Sequence, residues 1–140
     1  MKVTLNYLEN LHFKASAREF KNIEVDEPKS FHGNDLGASP IEYFLIGIGG
    51  CIGNTFIYCL KKKKIDVKNL EIIVDGQLKH MQPHMSLRLT NINIKFKFKQ
   101  DLSISDEIFR YCKSNLEKYC PIFQPILKGI PMELNFMKFK

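Results

Sequence analysis

Ser39-Pro40-Ile41-Glu42-Tyr43-Phe44-Leu45-Ile46-Gly47-Ile48-Gly49-Gly50-Cys51-Ile52-Gly53-Asn54-Thr55-Phe56-Ile57-Tyr58-Cys59-Leu60-Lys61-Lys62-Lys63-Lys64 is the stretch whose reading decides the fold. A serine three residues ahead of a glutamate, with proline at the first helical position, is a helix start. The lysine run complements the negative pole of the helix dipole at the other end. Between them, eighteen uncharged residues, Tyr43 to Leu60, predict a helix apolar around its circumference and buried on all sides. Internal glycines cost about 1 kcal/mol each relative to alanine. Gly47, Gly49, Gly50 and Gly53 therefore imply a close approach by another helix or a ligand, and they frame Cys51.

Working outward, the first twenty-five residues read as strands: Val3, Leu5 and Tyr7 alternate with polar neighbours, followed by Phe13, Phe20, Ile23 and Val25. Asp26-Glu27-Pro28 breaks the run, and Lys29 to Ser39 is a polar loop. Beyond the long helix, placed at Pro40 to Lys64, Asp66 to His80 predicts a strand with Leu70, Ile72 and Val74 on one face. Met85 to Lys99 predicts another. Its apolar residues change phase between Leu89 and Ile92, which predicts a bulge near Thr90-Asn91. Ile104, Ile108, Cys112 and Leu116 give a helix from Ser103 to Tyr119, interrupted at Cys120-Pro121. A short helix from Ile122 to Lys128 and a last strand, Met132 to Phe139, complete an α+β chain with antiparallel pairing.

With 140 residues the chain is expected to form one domain, 1–140. Its 44% hydrophobic and 26% charged residues are ordinary for a soluble protein. The net charge of +6 is spread along strands and helix ends, and no helix combines charge with aromatics as a nucleic-acid reader would. The apolar stretch approaches the length of a membrane span and holds Gly49-x-x-x-Gly53, but Asn54, its four glycines and the β-rich flanks argue for a core helix. Four cysteines without regular spacing or an export signal read as cytoplasmic thiols.

Cys51 has two readings, a small buried hydrophobe or a reactive thiol. Cys120 favours the second, because the following proline holds it extended and starts a new helix, where a thiol ionises more easily. Cys59 and Cys112 read as structural, Cys112 on the apolar stripe of its helix. His80 and His84 are separated by Pro83, which spoils helical metal ligation, and His12 and His32 read as isolated surface residues.

Gly37-Ala38-Ser39-Pro40-Ile41-Glu42-Tyr43-Phe44-Leu45, Gly49-Gly50-Cys51 and Leu116-Glu117-Lys118-Tyr119-Cys120-Pro121 together resemble the OsmC/Ohr family of thiol-dependent peroxide reductases, over nearly the whole chain. The resemblance implies an OsmC-like fold, with antiparallel sheets around a long buried helix in an intertwined homodimer whose two active sites lie at the subunit interface. It implies that Cys51 attacks an organic hydroperoxide and that Cys120 resolves the sulfenic acid as an intramolecular disulfide. An external dithiol then reduces that disulfide, with no metal, nucleotide or other cofactor, no nucleic acid and no membrane. Family enzymes carry Pro-Glu and an arginine from the N-terminal strands. Here Pro40-Ile41 displaces Glu42 by one place, and Arg18 is the local arginine, readable equally as a solvated turn residue. Glu42 also completes the capping box with Ser39. Nine residues along one helix set Glu42 opposite Cys51 and about 13 Å away, so any role for Glu42 falls in the partner's site. The alternative function is an OsmC-like dimer that binds a small apolar or electrophilic ligand near Cys51.

Overall fold

The structure, a computed structural model, describes residues 1–98 and 104–137. Its elements run β1 (Val3–Glu9), β2 (His12–Ala17), β3 (Phe20–Val25), one 3-10 turn (Lys29–Phe31), α1 (Pro40–Lys62), β4 (Leu70–Met81), β5 (Ser86–Phe98), α2 (Asp106–Tyr119) and α3 (Phe123–Lys128). Backbone contacts group the chain into two compact units, Met1–Gly47 and Ile48–Lys140, the division falling inside α1.

The N-terminal unit is an antiparallel meander in the order β1-β2-β3. Asn10 and Arg18, both at positive φ, turn the chain between strands. After β3, the buried Asp26 carboxylate accepts the backbone N–H groups of Glu27, Asn34 and Leu36. These bonds shape the polar loop and deliver the chain to α1. Ser39 N–H donates to Glu42 Oε2 at 2.7 Å and Glu42 N–H to Ser39 Oγ at 3.3 Å, the capping box expected from sequence.

In the C-terminal unit, β4 and β5 pair antiparallel from Leu70↔Phe98 to Met81↔Ser86. The register slips once: Gln77 faces Asn91 while Leu78 faces Leu89, leaving Thr90 as the extra residue. This is the bulge the phase change demanded, and Thr90 Oγ1 donates to Gln77 O at 3.1 Å. Ile92, Ile94, Phe96 and Phe98 consequently share a face that packs on the core around Ile48, Ile52, Phe56, Leu60, Cys112 and Leu116. Phe56 stacks 5.2 Å from Phe96 and 5.6 Å from Phe109. Burying each such side chain contributes about 1.5–3 kcal/mol.

Four sequence expectations need correction. Burial of α1 falls on one stripe, from Ile48 through Phe56 to Leu60, while Ile46, Gly50, Asn54 and Tyr58 on other faces are exposed within the chain. Two of its glycines admit sheet side chains: a Cβ on Gly49 would sit 2.7 Å from Val74 Cγ2, and one on Gly53 would overlap Ile72 Cδ1. The close approach is therefore by β4, not by a second helix. Residues 132–137 form no strand and Met132, Leu134, Phe136 and Met137 are exposed, since no strand among the described residues pairs with them; residues 138–139 of that expected strand lie outside the described residues. His12 is buried, not superficial, because the inward face of β2 sets its Nε2 2.7 Å from Glu24 Oε2.

Candidate functional site

Within the C-terminal unit, the Cys51 and Cys120 sulfurs lie 3.7 Å apart. Cys51 comes from the middle of α1, where it is half-buried. Cys120 caps the C-terminus of α2 in extended geometry, φ −64° and ψ 124°, as a residue before proline should. Its N–H donates to Leu116 O at 3.0 Å, which locks the cap. Pro121 and Ile122 then form a turn, and α3 begins at Phe123, later than the sequence suggested.

The two thiols are electrostatically unlike. Burial of Cys120, 3% exposed, opposes its ionisation. The backbone N–H groups of Ile122 and Phe123, together with the Cys51 thiol and the Thr55 hydroxyl, outweigh that cost and lower its pKa. Burial raises the Cys51 pKa, and the hydrogen bond and charge of Cys120 raise it further. Either sulfur can supply the hydrogen of the 3.7 Å contact, and the backbone donors make Cys120 the more readily ionised of the two. Thr55, which the sequence did not flag, reaches both partners, since its hydroxyl also lies 2.9 Å from Cys51 O. A hydroxyl one turn after a helical cysteine was the available signal.

Two apolar clefts share elements with the pair, though neither cysteine lines them. A cleft of about 100 Å³ is lined by Ile48, Ile52, Ile92, Ile94 and Phe123, and a wider one of about 320 Å³ by Ile52, Phe56, Phe109 and Phe123 among others. Ile48 and Ile52 flank Cys51 on α1, and Phe123 is a backbone donor to Cys120.

The other sequence candidates have contacts of their own. Glu42 is committed to its cap, and the Ser39 donors hold its carboxyl below the usual range. Arg18 sits at the β2–β3 turn with its guanidinium 5.4 Å from the Phe20 ring centroid. Cys59 and Cys112, expected as core thiols, are core residues joined as a disulfide, with Cα atoms 5.6 Å apart. Facing positions on two packed helices supplied the geometry that irregular spacing in sequence concealed. His80 Nδ1 lies 2.8 Å from Met85 O at the β4–β5 hairpin tip. Among the described residues, no three His, Cys, Asp or Glu side chains gather to hold a metal ion.

The family model described as OsmC-like protein matches residues 32–135. Among solved structures, an OsmC-like protein from Mycoplasma pneumoniae superposes with a TM-score of 0.74 at 22% identity, covering 92% of this chain and 87% of that one. The organic hydroperoxide resistance protein OhrB of Bacillus subtilis gives 0.63 at 16% identity, covering 88% and 87%. An organic hydroperoxide resistance protein OsmC from Legionella pneumophila gives 0.65 at 14%, covering 89% and 87%. At these identities the likeness is one of fold. No curated protein sequence matches the chain.

Proposed function

The chain belongs to the OsmC-like family, and from that premise we propose that it is a thiol-dependent peroxidase reducing organic hydroperoxides through a Cys51–Cys120 disulfide. The 3.7 Å approach of the two free sulfurs carries this reading. Cys51 is the more open sulfur; it gives its proton to water and attacks the terminal peroxide oxygen as the thiolate. The O–O bond breaks, the alkoxide takes a proton from water and leaves as the alcohol, and Cys51 becomes a sulfenic acid. Cys120 then attacks the Cys51 sulfur; the S–O bond breaks, its hydroxide leaves with the Cys120 proton as water, and the disulfide forms. An external dithiol reduces it by exchange. The apolar core against which Cys51 packs suits the organic group of the hydroperoxide.

The wider reading follows the family resemblance. Arg18 is the cation that would hold Cys51 as a thiolate, and Glu42 serves the site of a second copy. A homodimer would cover the exposed face of α1 and pair the strand-patterned segment 132–137. The chemistry calls for no metal or nucleotide, and a cytoplasmic setting supplies dithiols.

Turnover of cumene hydroperoxide with a dithiol tests the proposal. Wild type is expected to consume peroxide and to lose one pair of free thiols per chain when the dithiol is omitted. Cys51→Ser abolishes turnover, whereas Cys120→Ser retains the first oxidation and accumulates sulfenic acid. The raised pKa of Cys51 and its apolar surroundings favour, as a second reading, a binder of small apolar or electrophilic ligands. Peroxide that leaves the thiol count unchanged would select that reading and overturn the peroxidase.

A further inference from the structure

The Cys59–Cys112 disulfide is the second rung of a ladder. Cys59 lies eight residues beyond Cys51 on α1, and Cys112 eight residues before Cys120 on the α2 side. Across these contacts the two helices run antiparallel, and the rungs are two turns, about 12 Å, apart. A sealed structural bridge would have apolar cover on both sulfurs. This one opens on one side. Cys59 forms part of a cleft of about 520 Å³ whose other walls are Tyr58, Lys62, Lys63, Tyr111, Asn115 and Tyr119, with Thr55 linking it to the Cys51–Cys120 pair. Cys112 is fully buried behind it, at 0% exposure against 7% for Cys59. Asn115 Nδ2 points at Cys59 Sγ from 3.6 Å. Lys62 Nζ stands 4.7 Å from the Tyr58 ring centroid and Lys63 Nζ 4.4 Å from that of Tyr111. Neither lysine is ion-paired among the described residues, and no carboxylate lines the cleft.

We propose that this cleft is a second thiol–disulfide exchange site, where a small thiol bearing a carboxylate or similar anionic group opens Cys59–Cys112. Two unpaired ammonium groups concentrate anions at the mouth, and the stacked tyrosines hold those ammonium groups beside it. Cys59 lines the cleft and Cys112 does not, so Cys59 carries the sulfur attacked and Cys112 the leaving sulfur. The incoming thiolate forms a mixed disulfide with Cys59 as the Cys59–Cys112 bond breaks. Cys112 takes up the proton that the small thiol released. A second molecule of the thiol attacks the small-thiol sulfur of that adduct, giving its symmetrical disulfide and the Cys59 thiol. Two thiols are thereby oxidised and one protein disulfide is reduced, which unties α1 from α2 two turns from the Cys51–Cys120 pair.

The test uses full-length Cys51→Ser/Cys120→Ser protein, so that its outcome is independent of the peroxidase reading. Thioglycolate, mercaptoethanol and cysteamine serve as anionic, neutral and cationic probes, with rates corrected for each thiolate fraction. Thioglycolate is expected to react about tenfold faster than cysteamine at low salt. The preference should shrink to about twofold in high salt, where the charges are screened, and in Lys62→Gln/Lys63→Gln. Peptide mapping of the trapped adduct should find it on Cys59. Equal rates for the three probes, a preference that survives both salt and the lysine substitutions, an adduct on Cys112, or reduction only after unfolding would each overturn the site. The salt dependence needs no lysine variant, so it decides the matter even if that variant fails to fold.

Discussion

Substituting Gly49 by alanine isolates the contact that seats α1 on β4. The added methyl would lie 2.7 Å from Val74 Cγ2. Valine is stiff about χ1 and cannot swing aside, so the overlap is relieved only by moving helix or strand, an overpacking cost of about 3 kcal/mol at the upper end of its range. Replacing a helical glycine returns about 1 kcal/mol, leaving Gly49→Ala destabilised by about 2 kcal/mol. At this chain length that lowers Tm by roughly 6–8 °C. Val74→Ala alone removes two half-buried methyl groups and costs about 1 kcal/mol. Gly49→Ala/Val74→Ala removes two methyl groups and adds one, relieving the overlap; the helix gain of about 1 kcal/mol offsets the lost burial of about 1 kcal/mol, so it should lie close to wild type, about 3 kcal/mol more stable than additivity allows. Denaturant unfolding of the four proteins at one fixed protein concentration measures that coupling. Additive effects, or a Gly49→Ala protein as stable as wild type, would refute the idea that this glycine exists to admit β4.

Thiolate absorbance followed against pH should reveal a first ionisation below the ordinary thiol range, because the Cys120 pKa is lowered and its thiolate persists as pH falls toward that value. Cys120→Ser should abolish this step, and Cys51→Ser should delay it by removing an S–H donor; an unchanged titration in Cys120→Ser would assign the thiolate to the wrong sulfur. Arg18→Ala should delay the later Cys51 ionisation with little loss of stability, and identical curves would leave Arg18 a surface turn residue. Sedimentation should find a dimer at micromolar concentration that weakens in Leu134→Asp/Phe136→Asp. A monomeric wild type would remove the second copy from the proposed function, and an undiminished variant dimer would remove segment 132–137 from its interface.

Sequence pattern located the elements that depend on local rules. The capping box, the meander strands, the extended Cys120 and the Thr90 bulge each follow from neighbours within a few residues, and all appear in the structure. Failures came where the partner was distant. Nothing near Gly49 or Gly53 in sequence distinguishes a helix from a strand as the close neighbour, because either demands the same missing Cβ. His12 looked isolated because Glu24 stands on the next strand, twelve residues away, and only the β2–β3 register brings them together. The alternation of Leu134 and Phe136 with polar residues was read as a strand, and residues 132–137 form none, because a strand needs another edge to bind.

The cysteines were legible as a pair and illegible as a ladder. Cys120-Pro121 announced its own backbone geometry, and the resemblance tied it to Cys51. The antiparallel register of α1 and α2 carries information that neither helix contains alone: once Cys51 meets Cys120, the residues eight places on and eight places back must also face each other. Both are cysteines. Cys59 and Cys112 therefore met because the first contact fixes the second, and any displacement that parts one pair must act on the other through the same two helices. The electrostatic order of the first pair was equally hidden. It depends on where the N–H groups of Ile122 and Phe123 point after a turn that breaks the helix, and they point at Cys120. A proline placed to start a helix at once would have left those donors elsewhere; the two-residue turn before α3 is what directs them to the sulfur and makes Cys120 the more readily ionised thiol of the pair.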